Sequence, residues 1–227
     1  MTDRMLFDDW PERYEAWFAT PIGRLVKDTE CGLVLEMLSP GKGEKILDAG
    51  CGTGVFTLDY LARGADVVGL DISAPMLALA VRKASGYPFV AVQGDMLTLP
   101  FEDECFDKAV SVTAVEFIQD ARRAVDELFR VTKPGGLVVV GTLNSLSPWS
   151  ARRRAKTERG QRHILESAFF RSPAEPLALA PVEGVARSVV HFEKDDPPER
   201  ATEIERLGKS EGLDTGAFVA ARWVKPG

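Results

Sequence analysis

Between residues 45 and 142 the chain alternates two patterns of apolar and polar positions. Five short apolar runs, Lys45–Ala49, Asp66–Leu70, Phe89–Gln93, Lys108–Val112 and Leu137–Val140, have the length of buried parallel strands. Between them lie stretches of helical periodicity at Val55–Arg63, Pro75–Ala84 and Ala121–Thr132. Ser73, with Pro75 close behind it, is the expected N-cap of the second, and Asp120 opens the third. Lys133-Pro134-Gly135-Gly136 is expected to stop that third helix, and the link from Gln93 to Lys108 reads mostly as loop. Strand–helix alternation of this kind predicts an α/β fold, a doubly wound parallel sheet with helices on both faces.

The ends are patterned differently. Trp10, Tyr14, Trp17 and Phe18 stand among charges, after which Thr20 and Pro21 open a helix predicted to run to about Leu38. Beyond Thr142 comes a basic stretch from Arg152 to Arg162, then Phe169 and Phe170, then a weak cap at Ser172-Pro173. Two more strands are expected at Ala186–Phe192 and Ala217–Val224, separated by a charged helical segment after Pro198. The resulting division is a single domain: residues 1–43 as a cap, 44–142 as a ligand-binding core, and 143–227 as a substrate segment with the last two strands.

Composition narrows the classes. With 227 residues, 45% of them apolar, and a net charge of −6, the chain can bury one substantial core and is not a disordered polymer. Its acidity argues against non-specific nucleic-acid binding as the main task. No apolar run suits a membrane span, and the first residues lack the pattern of a signal peptide. Three cysteines, an odd number, predict free thiols and a reducing, cytoplasmic setting.

The strongest chemical signal is Asp48-Ala49-Gly50-Cys51-Gly52-Thr53-Gly54, placed after a strand and before a helix. Glycines there allow a tight turn and let backbone N–H groups approach a ligand. Asp71, 21 residues past Gly50 at the end of the next strand, can accept both hydroxyls of a ribose. A dinucleotide fingerprint begun at Gly50 needs glycine or alanine where Val55 stands. Asp48 would repel a pyrophosphate and attract an ammonium. Both departures favour S-adenosylmethionine, whose tail carries an ammonium and a carboxylate.

At this point the residues resemble a family. Ile46 to Gly54 is similar to motif I of the class I S-adenosylmethionine-dependent methyltransferases, and Val67 to Ser73 resembles their second motif. Gly94-Asp95-Met96 through Leu99-Pro100-Phe101, with Phe106-Asp107, resembles the third and fourth, and Leu128 to Gly136 the helix and turn before strand five. The similarity is greatest to the type 11 branch, which includes ubiquinone- and menaquinone-biosynthesis enzymes. It covers residues 44–142 and leaves the ends unmatched.

The resemblance implies a Rossmann-like sheet of seven strands in the order 3-2-1-4-5-7-6, with only the last strand antiparallel. It implies S-adenosyl-L-methionine as cofactor. Gly50, Cys51 and Gly52 would contact its methionine part through backbone, with Asp48 near the ammonium. Asp71 would hold the ribose, Ile72 would pack on the adenine, and Asp95 and the Met96 backbone would read the ring edge. Ser111 or Val112 would face the methionine part, and Thr113 and Glu116 would sit near the delivered methyl. The acceptor is expected to be a small molecule, with the catalytic candidates Glu116, Thr113, His163 and Tyr14.

Blander readings accompany these. Cys51 is a backbone contributor rather than a nucleophile, and Cys31 and Cys105 are packing residues. His191 reads as structural, and no spacing reads as a zinc site. The basic run is a solvated helix face, or a contact for an anionic acceptor or a membrane surface. The competing functions are an RNA- or protein-directed methyltransferase and a non-catalytic S-adenosylmethionine-binding protein. Ser111-Val112-Thr113-Ala114 lacks the prolines of adenine-amino methyltransferases. Tyr14 and Trp17 are candidate lid residues, with residues 1–20 expected to roof the acceptor pocket and Asn144–Phe170 to floor it.

Overall fold

The computed structural model describes residues 6–158 and 164–227. In chain order the elements are α1 (Pro11–Ala19), α2 (Pro21–Leu38), β1 (Lys45–Ala49), α3 (Thr57–Ala62), β2 (Asp66–Asp71), α4 (Ala74–Lys83), β3 (Phe89–Gln93) and β4 (Phe106–Val112). There follow α5 (Ala121–Val131), β5 (Thr132–Leu143), α6 (Pro148–Glu158), α7 (Ala174–Leu177), β6 (Gly184–Val189), α8 (Pro198–Glu211) and β7 (Phe218–Val224). The seven strands form one sheet in the order β3-β2-β1-β4-β5-β7-β6. β1 pairs parallel with β2 and β4, β2 with β3, and β4 with β5, while β7 runs antiparallel to both β5 and β6. Fold class, strand order and the antiparallel last strand are those expected from the sequence.

Local chemistry fixes the helix starts. Thr20 accepts from the Gly23 N–H at 3.0 Å, Ser73 caps α4 through the Met76 N–H, and Asp120 accepts from the Arg123 N–H at 3.1 Å. α5 buries Ala121, Ala124, Val125, Leu128 and Val131 as one stripe. Each of its larger apolar side chains contributes about 1.5–3 kcal/mol by leaving water.

Several boundaries differ from expectation. Lys133-Pro134-Gly135-Gly136 ends the helix but does not form a separate turn: β5 already begins at Thr132. There the Gly135 N–H donates to the Lys225 carbonyl and the Lys225 N–H to that of Gly136, so pairing with the chain's end holds the segment extended. β4 starts at Phe106, and β6 spans Gly184–Val189 instead of reaching Phe192. Val190 has φ +67°, which breaks the strand and places His191 beyond it. His191 is bound by Glu205 at 3.2 Å and the Leu213 carbonyl at 3.1 Å, a structural role.

The sheet is covered on both faces. Ile46, Val67, Val110 and Val139 pack with α2, α3 and Phe192 on one side. Leu47, Ala109, Val138 and Val140 pack with α5, Leu99 and Trp223 on the other. The period of two along a strand therefore decides which side chains can reach a site under α1 and α2. Among the described residues, no helix is long and apolar enough to cross a membrane.

Candidate functional site

A cavity of about 390 Å³ opens at the carboxyl edge of β1, β2 and β4. Ligands of open parallel sheets sit at that edge. Asp48, Gly50, Cys51, Gly52, Asp71, Ile72, Asp95, Met96, Val112 and Thr113 all line it, so residues spread over some sixty positions of sequence converge. From the N-terminal segment Leu6, Phe7 and Tyr14 form another wall, and Phe56, Met76, Phe117 and Ile118 add apolar surface.

The loop after β1 is shaped by what it must approach. At Gly50 φ is +76°, and an added Cβ would lie 2.4 Å from that of Ala114. Asp71 is met by backbone: the Gly52 N–H donates to Oδ2 at 2.8 Å and the Ser73 N–H to Oδ1 at 2.9 Å. These bonds pull its carboxyl pKa down, yet burial outweighs them and the net direction is upward. Asp48 shares the face of Ile46, is 2% exposed, and accepts from the Thr57 hydroxyl at 2.6 Å. Burial pushes its carboxyl up to about 7, with Thr57 opposing and the Asp71 charge adding. A cation arriving in the cavity would restore that charge, and this is the requirement an ammonium meets. Asp95 spends Oδ1 on the Leu97 N–H at 2.9 Å and is otherwise exposed, as is Ile72.

The N-terminal segment is tied to this edge. The Ser73 hydroxyl donates to Asp8 at 2.8 Å, and Glu15 accepts from both Thr53 and Lys83. Phe7 meets Phe117 edge-on at 4.8 Å. Sequence inspection missed Asp8 and Glu15, which look like ordinary surface acids.

Ser111 and Glu116 do not line the cavity. Ser111 follows Val110 on the strand and so points to the opposite face, fully buried, while Val112 faces the cavity. Glu116 lies in the turn Val115–Phe117, fully buried, and accepts from the Thr142 hydroxyl at 3.2 Å. Burial pushes its carboxyl up to about 7, opposed by its own backbone N–H, Thr142, Arg171 and Arg153. Thr113 has φ +50°, rare for a β-branched residue and a form of strain that clusters at functional sites. Cys51 is held as a thiol by burial, and burial pushes Cys31 up to about 12. His163 lies outside the described residues.

Among the described residues, none from Asn144 to Phe170 lines the cavity, unlike the expected floor. Asn144 spends its amide on the Asp214 and Gly216 carbonyls, and the Trp149 indole donates to the Phe192 carbonyl. Arg152 pairs with Asp195 at 2.6 Å, Arg153 lies over the Phe170 ring, and Arg154 donates to the Ser145 carbonyl. A further buried acid, Glu30 of α2, is 5% exposed. Its place on the Val26, Glu30, Leu33, Val34, Met37 stripe was a legible signal, a charge on an otherwise apolar helix face.

Comparison with known proteins agrees with this geometry. Residues 47–140 match a family described as "Methyltransferase domain". A malonyl-[acyl-carrier protein] O-methyltransferase of Pectobacterium atrosepticum is 37% identical over 140 residues, covering 60% of this chain and 54% of that protein. A demethylmenaquinone methyltransferase of Paenarthrobacter aurescens is 36% identical over 108 residues, covering 48% and 42%. The chain thus spans about half the length of the curated relatives it matches. A Thermotoga maritima S-adenosylmethionine-dependent methyltransferase, described as a possible histamine N-methyltransferase, superposes with a TM-score of 0.73 at 25% identity over 97% of this chain and 98% of that one. Residues 47–140 thus resemble a methyltransferase domain, and the strand order and whole-chain superposition give the chain a fold similar to that of an S-adenosylmethionine-dependent methyltransferase.

Proposed function

We propose that the protein transfers a methyl group from S-adenosylmethionine to a small-molecule acceptor. The observation that carries this reading is the pairing of Asp48 and Asp71 across one glycine-loop cavity, the first a buried carboxyl in want of a cation and the second fixed by backbone N–H groups. When bound, the cofactor supplies an electrophilic methyl on a sulfonium.

The chain's own residues would bind, orient and exclude water. Asp48 holds the ammonium, Gly50, Cys51 and Gly52 follow the methionine part through backbone, and Asp71 accepts the ribose hydroxyls. Ile72 and Met96 pack against the adenine, with the free oxygen of Asp95 open to its amino group. Val112 and Thr113 border the methyl, and Tyr14, Phe7 and Leu6 close the cavity over it. Holding an acceptor in line in a largely apolar space is the main contribution such a site makes. The apolar walls from Phe7, Phe56, Phe117 and Ile118 suit an acceptor with an apolar body. Similar proteins are named as methyltransferases of malonyl-[acyl-carrier protein] and of demethylmenaquinone. The free thiols of Cys31, Cys51 and Cys105 support a reducing, cytoplasmic setting.

The test is calorimetry with S-adenosylmethionine, S-adenosylhomocysteine and NAD, followed by methyl-transfer assays on amine, phenol and carboxylate acceptors. Binding of either adenosyl compound with transfer to one acceptor class supports the proposal. Binding without transfer to any acceptor favours a non-catalytic binder.

A further inference from the structure

Between the end of β3 at Gln93 and the start of β4 at Phe106 the chain forms neither helix nor strand. Gly94, Asp95, Met96 and Leu97, where this segment begins, line the cavity. Such a segment has no ladder to satisfy its backbone or to fix its course, so partners must come from elsewhere.

They come from α5. Arg123, Glu127 and Arg130 stand four and three positions apart, on a flank beside the buried stripe of that helix. Arg123 Nε donates to the Leu97 carbonyl at 2.9 Å. Glu127 accepts from the Leu99 N–H at 2.8 Å. Arg130 donates to the Leu99 carbonyl at 3.0 Å and to the Phe101 carbonyl at 2.8 Å. It also grips Glu127 through bonds of 2.7 and 2.8 Å, and Asp103 at 2.7 Å. The Arg130 guanidinium thereby holds the Glu127 carboxyl below the usual carboxylate range and keeps it an acceptor. Each of these bonds to Leu97, Leu99 and Phe101 reaches a main-chain atom, so α5 fixes where the segment runs, whatever side chains it carries.

Hydrogen bonds connect this clamp to the cavity without a gap. Leu97 is held on both sides, its carbonyl by Arg123 and its N–H by Asp95 Oδ1 at 2.9 Å. The second bond is an Asx turn, which orients the Asp95 carboxyl and leaves its other oxygen to a ligand.

We infer that Arg123, with Glu127 and Arg130, sets the base specificity of the site: α5 holds Asp95 and Met96 in the register that accepts a 6-aminopurine and rejects a 6-oxopurine. This inference rests on the methyl-transfer reading and adds to it the residues that choose the nucleoside. Adenine offers an amino donor to Asp95 and, beside it, an N1 acceptor to the Met96 N–H. A 6-oxo base offers the reverse, an oxygen and an N1–H. A segment free to slide by one atom position would let that N1–H donate to Asp95, and the wrong base would be held. A fixed segment denies it that bond. The three α5 residues touch neither base nor methyl and are positioning residues.

Calorimetry of the full chain with S-adenosylhomocysteine and its 6-oxo counterpart, S-inosylhomocysteine, tests this. The wild-type protein should prefer the adenosyl compound at least about tenfold, the worth of one hydrogen bond to a charged group. Arg123 is exposed, so Arg123→Ala should fold and keep its Tm. It should shrink the preference at least about threefold, and Arg123→Lys, which can still donate to the Leu97 carbonyl, should restore part of it. Arg130→Lys should shrink it too, while Arg122→Ala, at the neighbouring exposed position, should leave it unchanged. A merely structural role would weaken both compounds alike and leave the ratio where it was. Equal binding of the two compounds by the wild type overturns the inference, as does a wild-type ratio in Arg123→Ala. Amide exchange in the ligand-free protein tests the clamp alone. Arg123→Ala should speed exchange of the Leu97 N–H at least about threefold and leave the amides of β1 and β2 unchanged. Unchanged Leu97 exchange overturns the clamp. Failure of the wild type to bind S-adenosylhomocysteine, with exchange as expected, strikes the methyl-transfer reading and base specificity with it, while the clamp stands.

Discussion

The edge made by β1 and β2 and the wall made by α1, α2 and the Val115–Phe117 turn border the same cavity but treat charge in different ways. At the edge, the Asp71 carboxylate is held by two backbone N–H groups, and Asp48 opens into the cavity. A ligand can meet both by direct contact. At the wall, Glu30 and Glu116 are buried and do not line the cavity, and Glu116 is met by the Thr142 hydroxyl and its own backbone N–H. The first arrangement suits direct recognition of a charged ligand, and the second keeps its acids out of a ligand's direct reach.

The sharpest way to break the edge is Gly50→Ala. The substitution brings a Cβ to 2.4 Å from that of Ala114 at a φ of +76°. Strain and overpacking together should cost about 2–5 kcal/mol of stability. Thermal unfolding should show a large drop, and cofactor binding should be lost in whatever folds.

Asp71→Ala should leave the core intact and weaken S-adenosylhomocysteine binding by about 1.5–3 kcal/mol, the range for hydrogen bonds to a charged group. Calorimetry on the folded variant checks this, and an unchanged Kd would remove Asp71 from the site.

The edge was legible in the sequence because its parts are local. Asp48, Gly50 and Asp71 sit at strand ends whose apolar runs announce them, and a strand end is also where a parallel sheet binds. The wall was only half legible. Tyr14, Thr113 and Glu116 stood out as residue types, but nothing in their spacing showed that Glu116 is buried off the cavity, where its charge is felt by Glu30, 86 positions earlier. Ser111 and Val112 could not be separated until the register of β4 assigned their faces. β5 ran longer than its apolar pattern because Lys133–Gly136 is held by pairing with Lys225, a contact no local signal reveals.

The buried acids of both regions predict a pH dependence. Asp48, Glu30 and Glu116 have folded pKa values of about 7, 8 and 7, above their unfolded ones. The native state therefore holds protons that the unfolded chain gives up. That stability is fully present below the unfolded carboxyl range and is lost as pH rises through the folded values. Ligand-free protein should lose stability between pH 5 and 8, by up to about 1.4 kcal/mol per pH unit for each carboxyl protonated only in the folded state, read as a falling Tm. Glu116→Gln and Glu30→Gln should each flatten the slope. Asp107, Glu127 and Glu175, held down chiefly by hydrogen bonds to Lys133, Arg130 and the Ser172 backbone, act in the acidic range and do not oppose it.

The smallest effect is expected away from both regions. Arg152→Ala breaks the ion pair with Asp195, whose side chains are 41% and 72% exposed. Exposed pairs contribute at most about 1 kcal/mol, so Tm and cofactor affinity should barely change.

The central claim is that the Asp48–Asp71 edge holds S-adenosylmethionine, and titration calorimetry of the full chain tests it most directly. S-adenosylmethionine and S-adenosylhomocysteine should each bind at one site per chain, with both affinities reduced by Asp71→Ala and no heat from NAD. Binding of NAD with no response to either adenosyl compound would contradict the account.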